Sequence, residues 1–282
     1  MTADQAPQPQ GAARDSRNLR LRVLAGLILA PLTIGLAYAG GWPWAVLVTL
    51  ATIGMLVEWL VIVGLSGRVA IISGGAAVLA LTGVSAAGGR FDGSLAEIAI
   101  GLIVIGGLAS GKRGWAATGL FYAAAAQIAA ILLRHDASFG FSALLFVLLV
   151  VWATDIGGYF AGRGIGGPKL WVRVSPKKTW AGAVGGLLGS LLVAAGFVAA
   201  GIGKLSSLLL LGAILSVVSQ LGDLFESAVK RHFGVKDSSN IIPGHGGLLD
   251  RLDGFVAAIV LAAVIGVIRG GIDGAGRGLM VW

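Results

Sequence analysis

The chain has no cysteine in its 282 residues. That excludes a disulfide framework, a thiolate metal site and a cysteine nucleophile. Charge is also scarce: Asp, Glu, Lys and Arg make up 12%, about half the ~25% of soluble domains, so an ordinary soluble fold is excluded. Acids are fewer than bases, 13 against 21, for a net charge of +8. In a soluble chain that balance would suggest nucleic acid. In an oily one it is what basic membrane-protein loops produce, and no nucleic-acid partner is expected. There are three histidines, His135, His232 and His245, and no metalloprotease spacing, which argues against zinc. The two halves share no motif, so an internal repeat is absent as well.

What is present is apolar. Hydrophobic residues reach 56% and the mean hydropathy is +0.90. Runs long enough to cross a hydrocarbon core of ~30 Å recur along the chain. The pattern predicts an all-α polytopic membrane protein with nine spans, near 21–40, 43–65, 69–87, 94–110, 115–133, 141–162, 180–203, 206–229 and 254–269. The expected organisation is a disordered polar N-terminus (1–18), N-terminal membrane helices (19–140), a C-terminal catalytic region (141–270) and a short polar tail (271–282). The first apolar run is read as a retained helix, because no convincing cleavage site follows it. With the N-terminus in the cytoplasm, 16 Lys and Arg fall on the cytoplasmic side and 5 on the other. Basic residues concentrate on cytoplasmic loops. The polar loops near 163–179 and 230–253 therefore face the compartment that holds nucleoside triphosphates, and a bacterial-type inner membrane is expected.

The 47 glycines read mainly as close helix packing, and glycine-rich faces allow a homodimer. The tract Gly157–Gly167 has the look of a dinucleotide-binding pattern, but no strand precedes it. It is read as a helix end opening into a loop.

Five acids fall within predicted spans: Glu58, Glu97, Asp155, Asp223 and Glu226. An ionised group at mid-bilayer costs roughly 2.5–3.5 kcal/mol, so such groups require water, a cation or a basic partner. Glu58 and Glu97 are read as structural or peripheral, Glu58 being nearer the cytoplasmic end. Asp223, Glu226, Ser227 and Lys230 share one helix face by spacing. The bland reading is a salt-bridge stripe of Asp223 or Glu226 with Lys230; the functional one is the polar wall of a site. Asp250 and Asp253 open the last span on the same membrane side. Asp253 suits helix capping, and Asp250 is assigned to metal. Carboxylates on separate elements suit Mg²⁺, which shares its shell with substrate phosphates. Beside them stand Lys177, Lys178, Lys230, Arg231, Lys236 and Arg251. Such a set fits a metal–polyphosphate complex and the charge that develops in phosphoryl or nucleotidyl transfer. The glycines around His245, Gly246 and Gly247 among them, would let backbone N–H groups approach a phosphate. Ser175, Lys177, Lys178 and Thr179 form a second loop signal. Asp155 and Tyr159, with Arg163, lie at helical spacing on the preceding span.

These residues resemble a known family. The stretch from Ser227 to Asp253, with Lys230, Arg231, Lys236, Asp237, Pro243, Gly244, His245, Gly246, Gly247, Asp250 and Arg251 in place, resembles the signature of phosphatidate cytidylyltransferases (CDP-diacylglycerol synthases) over its whole length. Gly222–Glu226, Asp155–Tyr159 and Ser175–Trp180 resemble further family segments, whereas the first half matches only as a multi-span region. Ala181 stands where the family often has Glu. The resemblance implies transfer of the cytidylyl group of CTP to phosphatidate, a membrane lipid, with release of pyrophosphate, as a step of phospholipid biosynthesis. It implies Asp223 and Asp250 as holders of a divalent metal, Mg²⁺, with room for a second cation, Glu226 and Asp253 completing the metal set. It implies Lys230, Arg231, Arg251 and His245 at the reacting centre. Asp155, Tyr159, Ser175, Lys177, Lys178, Thr179, Ser227, Lys236, Asp237, Gly246 and Gly247 would bind substrate.

Two rivals are weaker. A CDP-alcohol phosphotransferase would need Arg where Ala258 stands, and acids downstream of it that are missing. A transporter would tolerate the glycines and buried acids, but the polar residues gather at one membrane face instead of the midplane.

Overall fold

The computed structural model describes residues 26–239 and 246–282. The disordered segment expected at 1–18, and His245, lie outside the described residues. Ten helices and one hairpin follow in order: α1 (Gly26–Ala39), α2 (Gly41–Ile62), α3 (Val69–Ala87), α4 (Phe91–Leu108), α5 (Arg113–His135), α6 (Gly140–Gly164), β1 (Lys169–Trp171), β2 (Ser175–Thr179), α7 (Trp180–Ala199), α8 (Leu205–His232), α9 (Leu249–Gly270) and α10 (Ala275–Met280). Eight of these, α2 to α9, are long and apolar enough to cross a membrane; α1 is a shorter apolar helix. The protein is a polytopic all-α bundle: α2 to α9 fall on eight of the nine expected spans and the shorter α1 on the first, while α10 lies in the expected tail.

Helices in lipid gain little from burying apolar groups against one another, because lipid tails are equally apolar; close packing and hydrogen bonds hold them together. Two modes of packing are visible. In the first, α2 to α5 interlock large side chains: Met55, Leu56 and Trp59 of α2, Leu79 of α3, Ile105 of α4 and Leu120 of α5 are all buried. The Trp59 indole N–H donates to the Trp115 carbonyl at 2.9 Å. In the second, α6 and α7 meet backbone to backbone. A Cβ on Gly157 would lie 2.5 Å from the Gly185 carbonyl oxygen, and one on Gly186 would lie 2.7 Å from that of Thr154. The tract around Gly157 is thus the inside of a helix pair, and only its end opens into a loop. α8 crosses α9 in the same way: a Cβ on Gly222 would lie 2.8 Å from the Asp253 carbonyl oxygen. That contact sets Asp223 beside Asp253.

After α6 the chain reverses through Gly166 and Gly167, whose φ values of 68° and 89° lie in the region only glycine adopts freely. The β1–β2 hairpin follows, antiparallel, with Lys169 opposite Thr179 and Trp171 opposite Ser175. Thr179 then caps α7, its hydroxyl accepting from Gly182 N at 3.1 Å.

At the far end of the bundle Asp136 accepts from the backbone N–H groups of Ser138, Phe139 and Arg277. It ties the α5–α6 turn to α10. The tail at 271–282 is therefore no loose polar segment: Ala275, Leu279 and Met280 of α10 are fully buried, packed on α9 and α6.

Candidate active site

The end of α6, the hairpin, the start of α7, the end of α8 and the start of α9 converge at one end of the bundle. Between them lies a cavity of about 600 Å³, within the ~300–1,000 Å³ usual for small-molecule sites. Its volume follows from the packing just described, since Gly158, Gly162 and Gly182 line it and project nothing into it. Four carboxylates face it, Asp155, Asp223, Asp250 and Asp253, together with four cations, Arg163, Lys177, Lys178 and Arg251. Gln220, one turn before Asp223, closes the floor and donates to the Ala183 carbonyl at 3.3 Å.

The carboxylates are not equivalent. Asp223 Oδ2 pairs with Lys178 Nζ at 2.5 Å, both side chains about a quarter to a third exposed. That joins α8 to the hairpin. Asp250 is enclosed: Oδ1 takes Lys230 Nζ at 2.5 Å, Oδ2 accepts from Ser238 N and Gly247 N, both at 3.1 Å, and the Ser238 hydroxyl, whose one proton is shared with Glu58, lies 2.9 Å from Oδ2. Asp155, Asp223 and Asp253 share this wall with Asp250. The wall therefore carries local negative charge that a cation would relieve.

Among the described residues no three His, Cys, Asp or Glu side chains converge on one point. A divalent cation held here would rest on one or two carboxylates and complete its shell with substrate oxygens, which is the habit of Mg²⁺. The donor chemistry fits such an ion.

The remaining expected residues fall into layers. Tyr159 and Thr179 line the cavity, and Arg163 donates to the Tyr159 hydroxyl at 2.8 Å. Lys230 and Glu226 stand behind it. They pair at 2.7 Å, and Glu226 is 1% exposed with no well-directed hydrogen bond to its oxygens. The salt-bridge stripe read from spacing is therefore Glu226 with Lys230, whereas Asp223 turns to the hairpin. Ser227 reaches Asp223 only weakly, at 3.4 Å. Arg231 donates to the Val235 carbonyl at the end of α8. Ser175, Lys236 and Asp237 do not line the cavity. Gly246, with φ of 84°, and Gly247 turn the chain into α9, and a Cβ on Gly247 would collide with Ser238 Oγ.

Two expectations change. Asp253 does not cap α9, because the helix starts at Leu249, five residues earlier than periodicity suggested. Its Oδ1 instead accepts from its neighbour Gly254 N. The second narrows: of the two readings, structural or peripheral, Glu58 is structural. It is fully buried, and its carboxylate receives the backbone N–H groups of Leu248 and Leu249 and the hydroxyls of Ser238 and Ser239. It fills the capping role at α9 from a different helix. Tyr122, Gln220 and Ser238 were likewise not anticipated. The Tyr122 hydroxyl donates to the Asp253 carbonyl at 3.3 Å; its signal was a lone polar tip within an apolar span.

Comparison with known proteins follows the same lines. Residues 20–268 match the model of the cytidylyltransferase family. The phosphatidate cytidylyltransferases of Brucella suis and Brucella melitensis are each 42% identical to this chain over 261 residues, covering 89% of it and 94% of theirs. That of Bacillus subtilis is 47% identical over 126 residues, 44% of this chain and 47% of its own.

Proposed function

The chain belongs to the cytidylyltransferase family, and on that premise we propose that it joins CTP to phosphatidate, giving CDP-diacylglycerol and pyrophosphate. The observation that carries this reading is the cavity wall, where four carboxylates and four cations meet at the end of a bundle of membrane helices. A nucleoside triphosphate needs cations; a second, lipid-borne phosphate needs a site that the membrane can reach. In the transfer, a phosphate oxygen of the lipid forms a bond to the α-phosphorus of CTP, and the bond from that phosphorus to the bridging oxygen of the β-phosphate breaks. Pyrophosphate leaves with its electrons.

The nucleophile is already an anion at neutral pH, so no strong base is required; positioning and charge neutralisation supply the rate. Lys177, Lys178, Arg163 and Arg251 bind phosphate oxygens. Asp223 and Asp250, with Asp253 beside them, would hold Mg²⁺, which would neutralise the triphosphate and the leaving group. Lys178 pairs with Asp223 on the cavity wall, where its ammonium would also reach the substrate phosphates. Lys230 keeps Asp250 and Glu226 compensated from behind. We place the cavity on the cytoplasmic side of a bacterial inner membrane, supported by the 16:5 distribution of basic residues and by the bacterial relatives.

The test is an assay in detergent micelles with phosphatidate, CTP labelled at the α-phosphate, and Mg²⁺. Label is expected in the lipid phase and is expected to vanish with EDTA. No label from folded protein would overturn the reading.

A further inference from the structure

We infer that Glu58, on α2 of the N-terminal half, is a positioning residue that holds Asp250 and the start of α9 in their working geometry. The inference rests on the cytidylyltransferase reading and adds to it.

The chemistry of the contacts is one-sided. Glu58 Oε1 accepts from Ser239 Oγ at 2.5 Å and from Leu248 N at 2.9 Å; Oε2 accepts from Ser238 Oγ at 2.9 Å and from Leu249 N at 2.7 Å. All four partners are donors, and only a carboxylate offers acceptors in all those directions. The two amides are among those that the first turn of α9 leaves without intrahelical partners, and Glu58 supplies acceptors for them. The side chain is wholly buried, so water cannot stand in for it.

The link to the site passes through Ser238. Its hydroxyl lies 2.9 Å from Glu58 Oε2 and 2.9 Å from Asp250 Oδ2, and its amide also reaches Asp250. One residue thus ties the buried carboxylate to the one on the cavity wall. The surroundings are shaped for this. Gly54, one turn before Glu58, leaves room for Leu248, whose Cδ2 would lie 2.9 Å from a Cβ there, and a Cβ on Gly247 would lie 2.7 Å from Glu58 Oε2.

The contacts rank the substitutions. Glu58→Gln preserves shape and volume, but each oxygen of the carboxylate faces a backbone N–H. Whichever way the amide turns, its NH₂ meets a donor that cannot rotate away. Glu58→Asp shortens the arm and keeps the acceptor chemistry. If the residue serves only to fill space, Gln is the better substitute; if it positions the loop, Asp is.

The experiment measures kcat with CTP and phosphatidate for wild type, Glu58→Asp, Glu58→Gln and Ser238→Ala, normalised to folded protein. It also measures the rate at which trypsin cuts after the exposed Lys236, relative to cutting in the β1–β2 hairpin. Outer contacts of this kind cost about 10- to 100-fold in activity when lost. Glu58→Gln is expected to lose at least about 10-fold, Glu58→Asp less, and Ser238→Ala several-fold, with cleavage after Lys236 accelerated in Glu58→Gln and the hairpin unchanged. Glu58→Gln within twofold of wild type, or Gln outperforming Asp, overturns the inference. If Glu58→Gln does not fold, Ser238→Ala decides: wild-type activity there removes the link to Asp250. Inactive wild type would count against the cytidylyltransferase reading; active wild type with indifferent variants counts against Glu58 alone.

Discussion

The two halves of this bundle are packed by opposite means. In α2 to α5 large side chains fill the space between helices, with Trp59, Leu79, Ile105 and Leu120 all buried. In α6 to α9 glycines let backbones touch, Gly157 against Gly185 and Gly222 against Asp253 and Gly254. The first mode leaves no room for a polar site. The second draws helix axes together and leaves the space above the glycines for charged residues on neighbouring turns, so that the bundle keeps a polar cavity at this end. The acids follow the same division: Asp155, Asp223, Asp250 and Asp253 lie on the cavity wall in the second half, and Glu58 reaches across from the first.

Substitutions on either side of that division should differ in what they damage. The largest effect is expected from Asp223→Asn. It removes a charge from the cavity wall and should lower kcat by about 10²–10³-fold, the range for losing one preorganised electrostatic contact, with the melting temperature nearly unchanged. Next is Gly185→Val, whose side chain would run into Ala161 and into the Gly157 carbonyl 2.8 Å from the new Cβ. Overpacking of this kind costs about 1–3 kcal/mol, and because α6 and α7 form the cavity walls, thermal unfolding and activity should suffer together. Ile105→Val, in the side-chain-packed half, should cost about 0.5–1.5 kcal/mol and leave turnover per folded molecule unchanged.

The smallest effect on activity belongs to Asp136, at the far end. Burial alone would raise its pKa, but the backbone N–H groups of Phe139, Arg277 and Ser138 outweigh that and hold it below the ordinary 3.8. A carboxylate with a lowered folded pKa contributes stability that is complete above its unfolded value and is lost as pH falls through the folded one. The gap in melting temperature between wild type and Asp136→Asn should be constant at neutral pH and shrink only below about 3.8.

Much of this division was legible in the residues. Apolar runs of span length marked nine helices, because membrane crossing constrains length and composition directly. The acids at 155 and 223 were visible because charge is costly in lipid and therefore rare, and those at 250 and 253 because they stand in a polar loop at the mouth of the last span. Glu58 was equally visible as a rare acid, but its role was not, since the donors it serves lie some 180 to 191 residues away along the chain. Spacing along one helix does not report partners on another. The start of α9 was misplaced for a related reason: periodicity began at the apolar run, while Glu58 and Asp250 support one more turn built from Leu249, Asp250 and Arg251. Tyr122 and Gln220 escaped notice because each is a single polar group with no local pattern around it.

The most direct test of the account compares the two halves in one assay. Transfer of label from CTP to phosphatidate is measured for wild type, Asp223→Asn and Ile105→Val at equal amounts of folded protein. The account predicts that Ile105→Val keeps the wild-type rate while Asp223→Asn falls by at least about 100-fold. Equal rates in all three, or equal losses in the two variants, would contradict it.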